Sequence, residues 1–251
     1  MKYCNTFIVE ENQRLNPAFF KLRLRSEENL PSIKPGQFVE IEIPQPTSSL
    51  LRRPISIHDV DYSKNEISLL IQIAGKGTEQ LSKLEKGEKV SLVYPLGNGF
   101  ECEGEKVLLI GGGVGVAPLL HLAKCFQERN IRPQILLGYR GESQMFDNDV
   151  FTQYGDLFIS TQDGSHGEKG LVTEHSVFAN QFDAVYTCGP TPMMRAVAEN
   201  CEKRGIKCFV SLENKMACGI GACLCCVQQT TSGHKCTCTE GPVFDSKEIV
   251  W

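Results

Sequence analysis

Six of the chain's 12 cysteines, Cys218, Cys223, Cys225, Cys226, Cys236 and Cys238, fall within one short stretch near the C-terminus, and Cys4, Cys102, Cys125, Cys188, Cys201 and Cys208 are scattered over the rest. So dense a run of thiols demands either a disulfide framework or a metal centre. Disulfide scaffolds are short exported chains. This chain has 251 residues and opens on MKYCNTFIVEENQ, which holds no apolar core of secretory length. The spacing is more specific: Cys218-x4-Cys223-x2-Cys226, then Cys238. That is the plant-type pattern for a 2Fe-2S cluster, in which a tight loop wraps one edge and a distant cysteine completes the ligands. Gly219, Ile220, Gly221 and Ala222 keep the loop small enough for its backbone to fold around the sulfides and donate N–H groups to them. Structural zinc also takes four thiolates, usually from two short-spaced pairs. The x2 spacing favours Cys226 over Cys225, whereas Cys236 competes with Cys238 for the last place. His234 would serve a Rieske-type centre only with a second histidine nearby, and none follows.

The rest of the chain divides by rhythm. With 41% apolar and 22% charged residues it can bury an ordinary core in one or two domains. From residue 3 to about 100, short period-two runs predict strands, such as Val39, Ile41 and Ile43 against Phe38, Glu40 and Glu42, and again EISLLIQI at 66–73. Turn signals between them suit a small antiparallel barrel. After residue 104, VLLI, ILLGY, LFIS, AVYTC and CFVSL read as buried strands alternating with helices, which implies a parallel sheet covered on both faces. The last of these helices is bounded by Thr191 as cap, Pro192 at its first position and Gly205 at its end. From residue 213 the apolar periodicity fades. The expected class is α+β multidomain: an antiparallel β-barrel over 1–101, an α/β parallel-sheet domain over 102–212, and a small cysteine lobe over 213–251. The net charge of −4, with no basic stripe, predicts no nucleic-acid partner. The most apolar stretch, at 107–123, is broken by glycines, so no membrane association and a cytoplasmic, soluble protein are expected.

Three further motifs point to bound nucleotides. In LRRPISI at 51–57, Arg53, held by the following Pro54, can meet a flavin pyrophosphate with its planar donor fork, and Ser56 can reach a flavin edge. Gly75-Lys76-Gly77-Thr78 can turn backbone N–H groups against a phosphate, with Thr78 capping a helix over EQLSKL. A polar strand start and a plain turn remain the alternatives for these two. GGGVGVAP at 111–118 joins a buried strand to a helix, where a dinucleotide pyrophosphate meets free N–H groups, so Gly111, Gly112, Gly113 and Gly115 are candidate contacts. It departs from the usual fingerprint in spacing, and Arg140 stands where an acidic ribose contact is expected. A glycine-rich turn without a ligand is the alternative. Cys188-Gly189-Pro190 ends a later strand and opens on the same crevice; Cys188 can face a nicotinamide ring or simply pack.

Together these features resemble the ferredoxin-reductase family. With PLGNGF at 95, SLENKMACGIGACLCC at 211 and CTEGPVF at 238, the likeness narrows to the electron transfer subunits of class B dihydroorotate dehydrogenases, from about residue 5 to about residue 245. That resemblance implies FAD contacts at Arg53, Pro54, Ile55, Ser56, Leu70, Ile71, Gln72, Gly77 and Thr78. It implies cluster ligation by Cys218, Cys223, Cys226 and Cys238, the last because the family's fourth cysteine lies shortly before a Gly-Pro pair. It also implies an FMN-containing catalytic partner, two of each subunit, and NAD as the hydride acceptor in pyrimidine biosynthesis. Hydride carries two electrons and a cluster one, so flavin stands between them as converter. No acid-base pair here demands proton chemistry, which places substrate oxidation in the partner. The rival readings are another flavin and 2Fe-2S subunit, of a ferredoxin-NADP or sulfide oxidoreductase, and a zinc-stabilised interaction module without redox activity.

Overall fold

The period-two runs of the first hundred residues become six antiparallel strands in the computed structural model, which describes residues 1–44 and 50–251. These are β1 (Tyr3–Arg14), β2 (Phe19–Ser26), β3 (Phe38–Ile41), β4 (Arg53–Asp61), β5 (Glu66–Gln72) and β6 (Lys89–Leu96). They close in the order β1-β2-β5-β4-β3-β6, which leaves no free edge. Inward positions fill the barrel with Phe7, Val9, Leu22, Leu24, Val39, Ile41, Ile57, Ile67, Leu69 and Leu92, all fully buried. The short helix α1 (Lys76–Leu81) follows β5 and drops Leu81 into the same core.

The expected parallel sheet forms from β7 (Val107–Gly112), β8 (Gln134–Tyr139), β9 (Asp156–Thr161), β10 (Glu168–Lys169), β11 (Ala184–Cys188) and β12 (Lys207–Ser211), crossed by helices α2 (Leu119–Glu128), α3 (Asp149–Thr152) and α4 (Thr191–Lys203). The unbroken apolar run of β7 is explained by burial on both faces. Leu109 packs with Leu119, Leu122 and Phe126 of α2, and Leu108 and Ile110 pack on the side of Met194 and Val197 of α4. Thr191 is the first helical residue of α4 rather than its cap, and no side chain caps that end; Gly205, at φ +68°, closes the other end as expected.

The cysteine segment contains the hairpin β13 (Val227–Thr230) and β14 (Gly233–Cys236) and then returns to the sheet as β15 (Val243–Asp245), antiparallel to β12. Phe244 and Ile249 join the core beneath α4. Residues after the last cysteine thus borrow apolar cover from the nucleotide sheet, because the lobe's own sequence supplies little.

A seam of buried polar contacts joins the barrel to the sheet domain. His58 of β4 donates from Nδ1 to the carbonyl of Ala117 at 2.7 Å, and His121 of α2 donates from Nε2 to that of Ile33 at 3.1 Å. Burial pushes both imidazoles below the usual histidine range, so each is neutral at the seam. Lys124 pairs with Asp59 at 2.5 Å and Lys21 with Asp147 at 2.6 Å across the same boundary. No helix of the described residues is long and apolar enough to cross a membrane.

Candidate functional site

On the barrel, the first four residues of β4 are only partly covered by protein, whereas Ile57 and His58 after them are buried. Arg53, Pro54, Ile55 and Ser56 therefore form a strip that can accept a flat ligand. Arg53 is held from below: its Nη1 donates to the carbonyls of Leu51 at 2.7 Å and Arg52 at 3.2 Å. Helix α1 brings Gly77 against it, so closely that a Cβ on Gly77 would stand 2.8 Å from Arg53 Nε. The two motifs expected to meet a flavin, distant in sequence, thus come together at one point. Thr78 takes a different role from the expected one. It lies in the first turn of α1 rather than before it, and its Oγ1 accepts from the N–H of Ala74 at 2.9 Å and of Gly75 at 3.3 Å. In β5, Gln72 is exposed, Leu70 packs into the seam core, and the side chain of Ile71 points into the barrel, leaving only its main chain for a ligand.

On the sheet, Gly111 and Gly112 end β7, and a 3-10 turn over Gly113–Val116 separates them from α2, so the helix begins later than the glycine run suggests. Register pairs Gly111 with Cys188 of β11. A Cβ on Gly115 would stand 2.5 Å from the carbonyl carbon and oxygen of Cys188 and from Cα of Gly189. Gly189, at φ +151°, lies against the backbone of Gly112 in turn. Glycine is required here because two strand ends and a turn share the space of one side chain. A Cβ on Gly113, at φ +55°, would have no described atom within 4 Å. Pro190 is exposed at the crevice mouth. Cys188 is fully buried and its thiol is held well above the ordinary range by burial, so it acts as a neutral packing group. Arg140 directly follows β8 and is exposed.

The cysteine loop folds as its small residues require. Gly219 and Gly221 take left-handed conformations at φ +65° and +87°, and Leu224 does so at +57°. The backbone N–H groups of Ile220, Cys223 and Ala222 converge on the Cys218 sulfur and pull its thiol down to about 6. Cys223 adjoins Cys218, while Cys238 donates its N–H to the Cys226 sulfur at 3.4 Å. The sulfurs of Cys218 and Cys223 thus adjoin, and that of Cys226 adjoins both Cys238 and its rival Cys236. Among the described residues no three His, Cys, Asp or Glu side chains gather around a single-ion site. Two thiols per iron is the donor set that a two-iron cluster takes, and converging amide groups suit its sulfides. Cys226 and Cys238 are almost fully buried with Phe38 and Leu96 on the outer face of the barrel. Burial and the neighbouring Cys226 push the Cys238 thiol up to about 12, a cost that a bound cation would remove. Cys225 is exposed, and Cys236 is half-buried beside the same cluster of side chains.

Several residues that organise this site carry no motif of their own. Asn98 of the PLGNGF turn donates from Nδ2 to the carbonyls of Glu240 at 2.7 Å and Val243 at 3.0 Å, and its Oδ1 accepts from Val243 N–H at 3.1 Å. PLGNGF and CTEGPVF, separate in the sequence, are thus two halves of one clasp. Asn214 donates to buried Thr237 at 2.9 Å and ties the start of the loop to its hairpin. Glu40 is buried beneath the loop, and burial, reinforced by Cys218, pushes its carboxyl up to about 7.

Family models match the chain in three consecutive pieces: an oxidoreductase FAD-binding domain over residues 7–100, an oxidoreductase NAD-binding domain over 109–199, and the iron-sulfur cluster binding domain of dihydroorotate dehydrogenase B over 213–250. The chain is 40% identical to the dihydroorotate dehydrogenase B (NAD(+)) electron transfer subunit of Bacillus mycoides strain KBAB4, over 97% of each chain, and 41% identical to that of Bacillus cereus strain Q1, over 86% of this chain and 87% of that one. Among solved structures it is similar to one of an NADH-dependent reduced ferredoxin-NADP oxidoreductase, with a TM-score of 0.88 and 29% identity over 98% of this chain and 90% of that chain. The flavohem-like FAD/NAD binding domain of Vibrio cholerae nitric oxide dioxygenase shares the two-domain fold at a TM-score of 0.68 and 21% identity, covering 80% of this chain and 93% of that one. The thiol loop, the glycine crevice and the arginine strip thus lie in the segments matched by the cluster, NAD and FAD models, and the chain belongs to the family of dihydroorotate dehydrogenase B electron transfer subunits.

Proposed function

We propose that this chain works beside an FMN-containing dihydroorotate dehydrogenase subunit in the cytoplasm, two copies of each, and passes electrons from that partner through a 2Fe-2S cluster and FAD to NAD in pyrimidine biosynthesis. The observation that carries the reading is the juxtaposition of the paired thiols with the strip on β4. Cys226 and Cys238 pack on Phe38, and Phe38 pairs directly with Ser56. Single electrons cross only short distances, and seats on the neighbouring strands β3 and β4 of one barrel support such a transfer.

When bound, FAD supplies the exchange between hydride and single electrons, and the cluster supplies a one-electron relay. The chain's own residues bind and orient. Arg53, pinned by two carbonyls and by Gly77, presents a fixed donor fork for the flavin's anionic portion, with Pro54, Ile55, Ser56, Leu70, Ile71, Gln72 and Thr78 around it. Gly111, Gly112, Gly113, Gly115, Gly189 and Pro190 form the nucleotide crevice, supported by Cys188 from beneath. Cys218, Cys223, Cys226 and Cys238 hold the cluster, and buried Phe38 and Leu96 keep water from its barrel side. The units that divide this work are 1–101, 102–212 and 213–251, the last leaning on the sheet through β15.

The test is co-purification with the candidate catalytic subunit, followed by dihydroorotate-driven reduction of NAD. Turnover that requires both chains supports the reading. A preparation that ignores dihydroorotate and instead exchanges electrons between ferredoxin and NADPH would move the chain to the function named for its structural relative.

A further inference from the structure

Glu40 is anomalous. The sequence places it on the outward face of β3 with Phe38 and Glu42, where a carboxylate meets water at no cost. Glu42 is indeed exposed, but Glu40 is 2% exposed, because the cysteine lobe covers that part of the barrel. Neither carboxylate oxygen has a hydrogen-bond partner among the described residues. The neighbouring Arg52 does not supply one. Its guanidinium donates to the carbonyl and hydroxyl of Ser91 at 2.8 and 2.9 Å and leans on Glu42 at 3.7 Å, touching Glu40 only at its main-chain carbonyl. A buried carboxyl without a hydrogen-bond partner is costly even with the Arg52 and Arg53 charges offsetting part of the cost, and a leucine or glutamine would be cheaper at this position.

Its surroundings suggest what the cost is for. On one side lies the cluster loop: a Cβ on Gly219 would stand 2.6 Å from Glu40 Cγ and 2.9 Å from its Oε1, so the carboxyl rests directly against the backbone that follows Cys218. On the other side Glu40 pairs with Pro54, inside the strip assigned to the flavin. Glu40 thus lies between the two redox seats, buried where little water screens it. A charge in such a place acts strongly on any centre that gains or loses an electron beside it. We propose that Glu40 is a positioning residue for electron transfer, its carboxyl setting the reduction potential of the cluster relative to that of the flavin. The negative charge disfavours the added electron on the cluster, so the cluster gives electrons up rather than trapping them.

This rests on the reading of the loop as a cluster seat, and the experiment separates the two. The complex with the catalytic partner is prepared anaerobically as wild type and as Glu40→Gln, and both centres are titrated potentiometrically at about pH 8.5, above the value of about 7 to which burial raises this carboxyl. The one-electron equilibrium at the cluster is expected to shift at least tenfold towards reduction in the variant, which is about 59 mV, with a smaller shift at the flavin. Equal cluster potentials in the two proteins, or equal shifts at both centres, would overturn the proposal. So would loss of the cluster with FAD retained, because removing an opposing charge cannot cost the cluster its seat. If Glu40→Gln does not fold, Glu40→Met repeats the measurement without charge, and failure of both to fold makes Glu40 a structural residue, which also overturns it. Absence of a cluster from the wild type would instead refute the functional reading.

Discussion

Gly115 offers a sharp test of the nucleotide crevice. An alanine Cβ there would meet three backbone atoms at 2.5 Å: the carbonyl carbon and oxygen of Cys188 and Cα of Gly189. Ordinary contact lies roughly 1 Å further out, and backbone, unlike a flexible side-chain end, cannot swing away, so the turn after β11 must move by about that much. Overpacking of this kind costs about 1–3 kcal/mol. A displacement of about 1 Å in residues that position a reactant is worth as much as ~100-fold in rate. The assay is NADH oxidation with ferricyanide as acceptor, which needs neither the catalytic partner nor its substrate. Gly115→Ala is expected to lower kcat/KM for NADH by about 10- to 100-fold while FAD content and the cluster spectrum stay as in wild type. Gly113→Ala is the comparator. Its Cβ meets nothing, and only its φ of +55° resists, at about 1–2 kcal/mol, so the loss is smaller. A Gly115→Ala protein with unchanged NADH kinetics, or one that loses FAD instead, would refute the placement of the nucleotide at this turn.

Other perturbations separate the remaining parts. Gly77→Ala puts a Cβ 2.8 Å from Arg53 Nε and must push the guanidinium aside; FAD affinity, read by fluorescence of released flavin on dilution, is expected to fall about tenfold or more with little change in melting temperature. Asn98→Ala removes three hydrogen bonds of the clasp and is expected to destabilise the chain by about 1–3 kcal/mol and to speed cluster loss, followed by bleaching of the visible spectrum. His58 and His121 are held below their unfolded value of 6.5, so above that pH they contribute no dependence, and below it the unfolded chain takes up protons that the native seam refuses. Stability should therefore fall as the pH drops below about 6.5, and His121→Gln should blunt the slope in denaturant titrations.

Much of this arrangement was legible in the sequence because it depends on local constraints. Period-two alternation is enough to make barrel strands, and an apolar run ending in glycines is enough to make a buried strand and a tight crossing. The loop from Cys218 to Cys226 follows from its spacing and small residues alone. The features without a local signal depend on what packs against what. Alternation put Glu40 on an outward face, and only the return of the lobe over β3 turns that face into an interior. The alternation of EISLLIQI does put Ile71 on the barrel face with Ile67 and Leu69, away from the strip, so the flavin contact implied by the resemblance falls to its main chain. Thr78 has the chemistry of a cap and uses it, but from within the first turn and towards the preceding amides. Asn98, His58 and His121 carry no pattern, since their partners lie far away along the chain, and β15 gives no signal because three residues make no period.

The central claim is that four thiols in the C-terminal segment hold a two-iron cluster beside a flavin. Iron, acid-labile sulfide and FAD should be counted in anaerobically purified wild type and in Cys223→Ser. Wild type is expected to carry two irons and two sulfides for each FAD, and the variant FAD with neither iron nor sulfide. Wild-type protein that binds zinc, or flavin alone, would contradict a two-iron centre at these thiols.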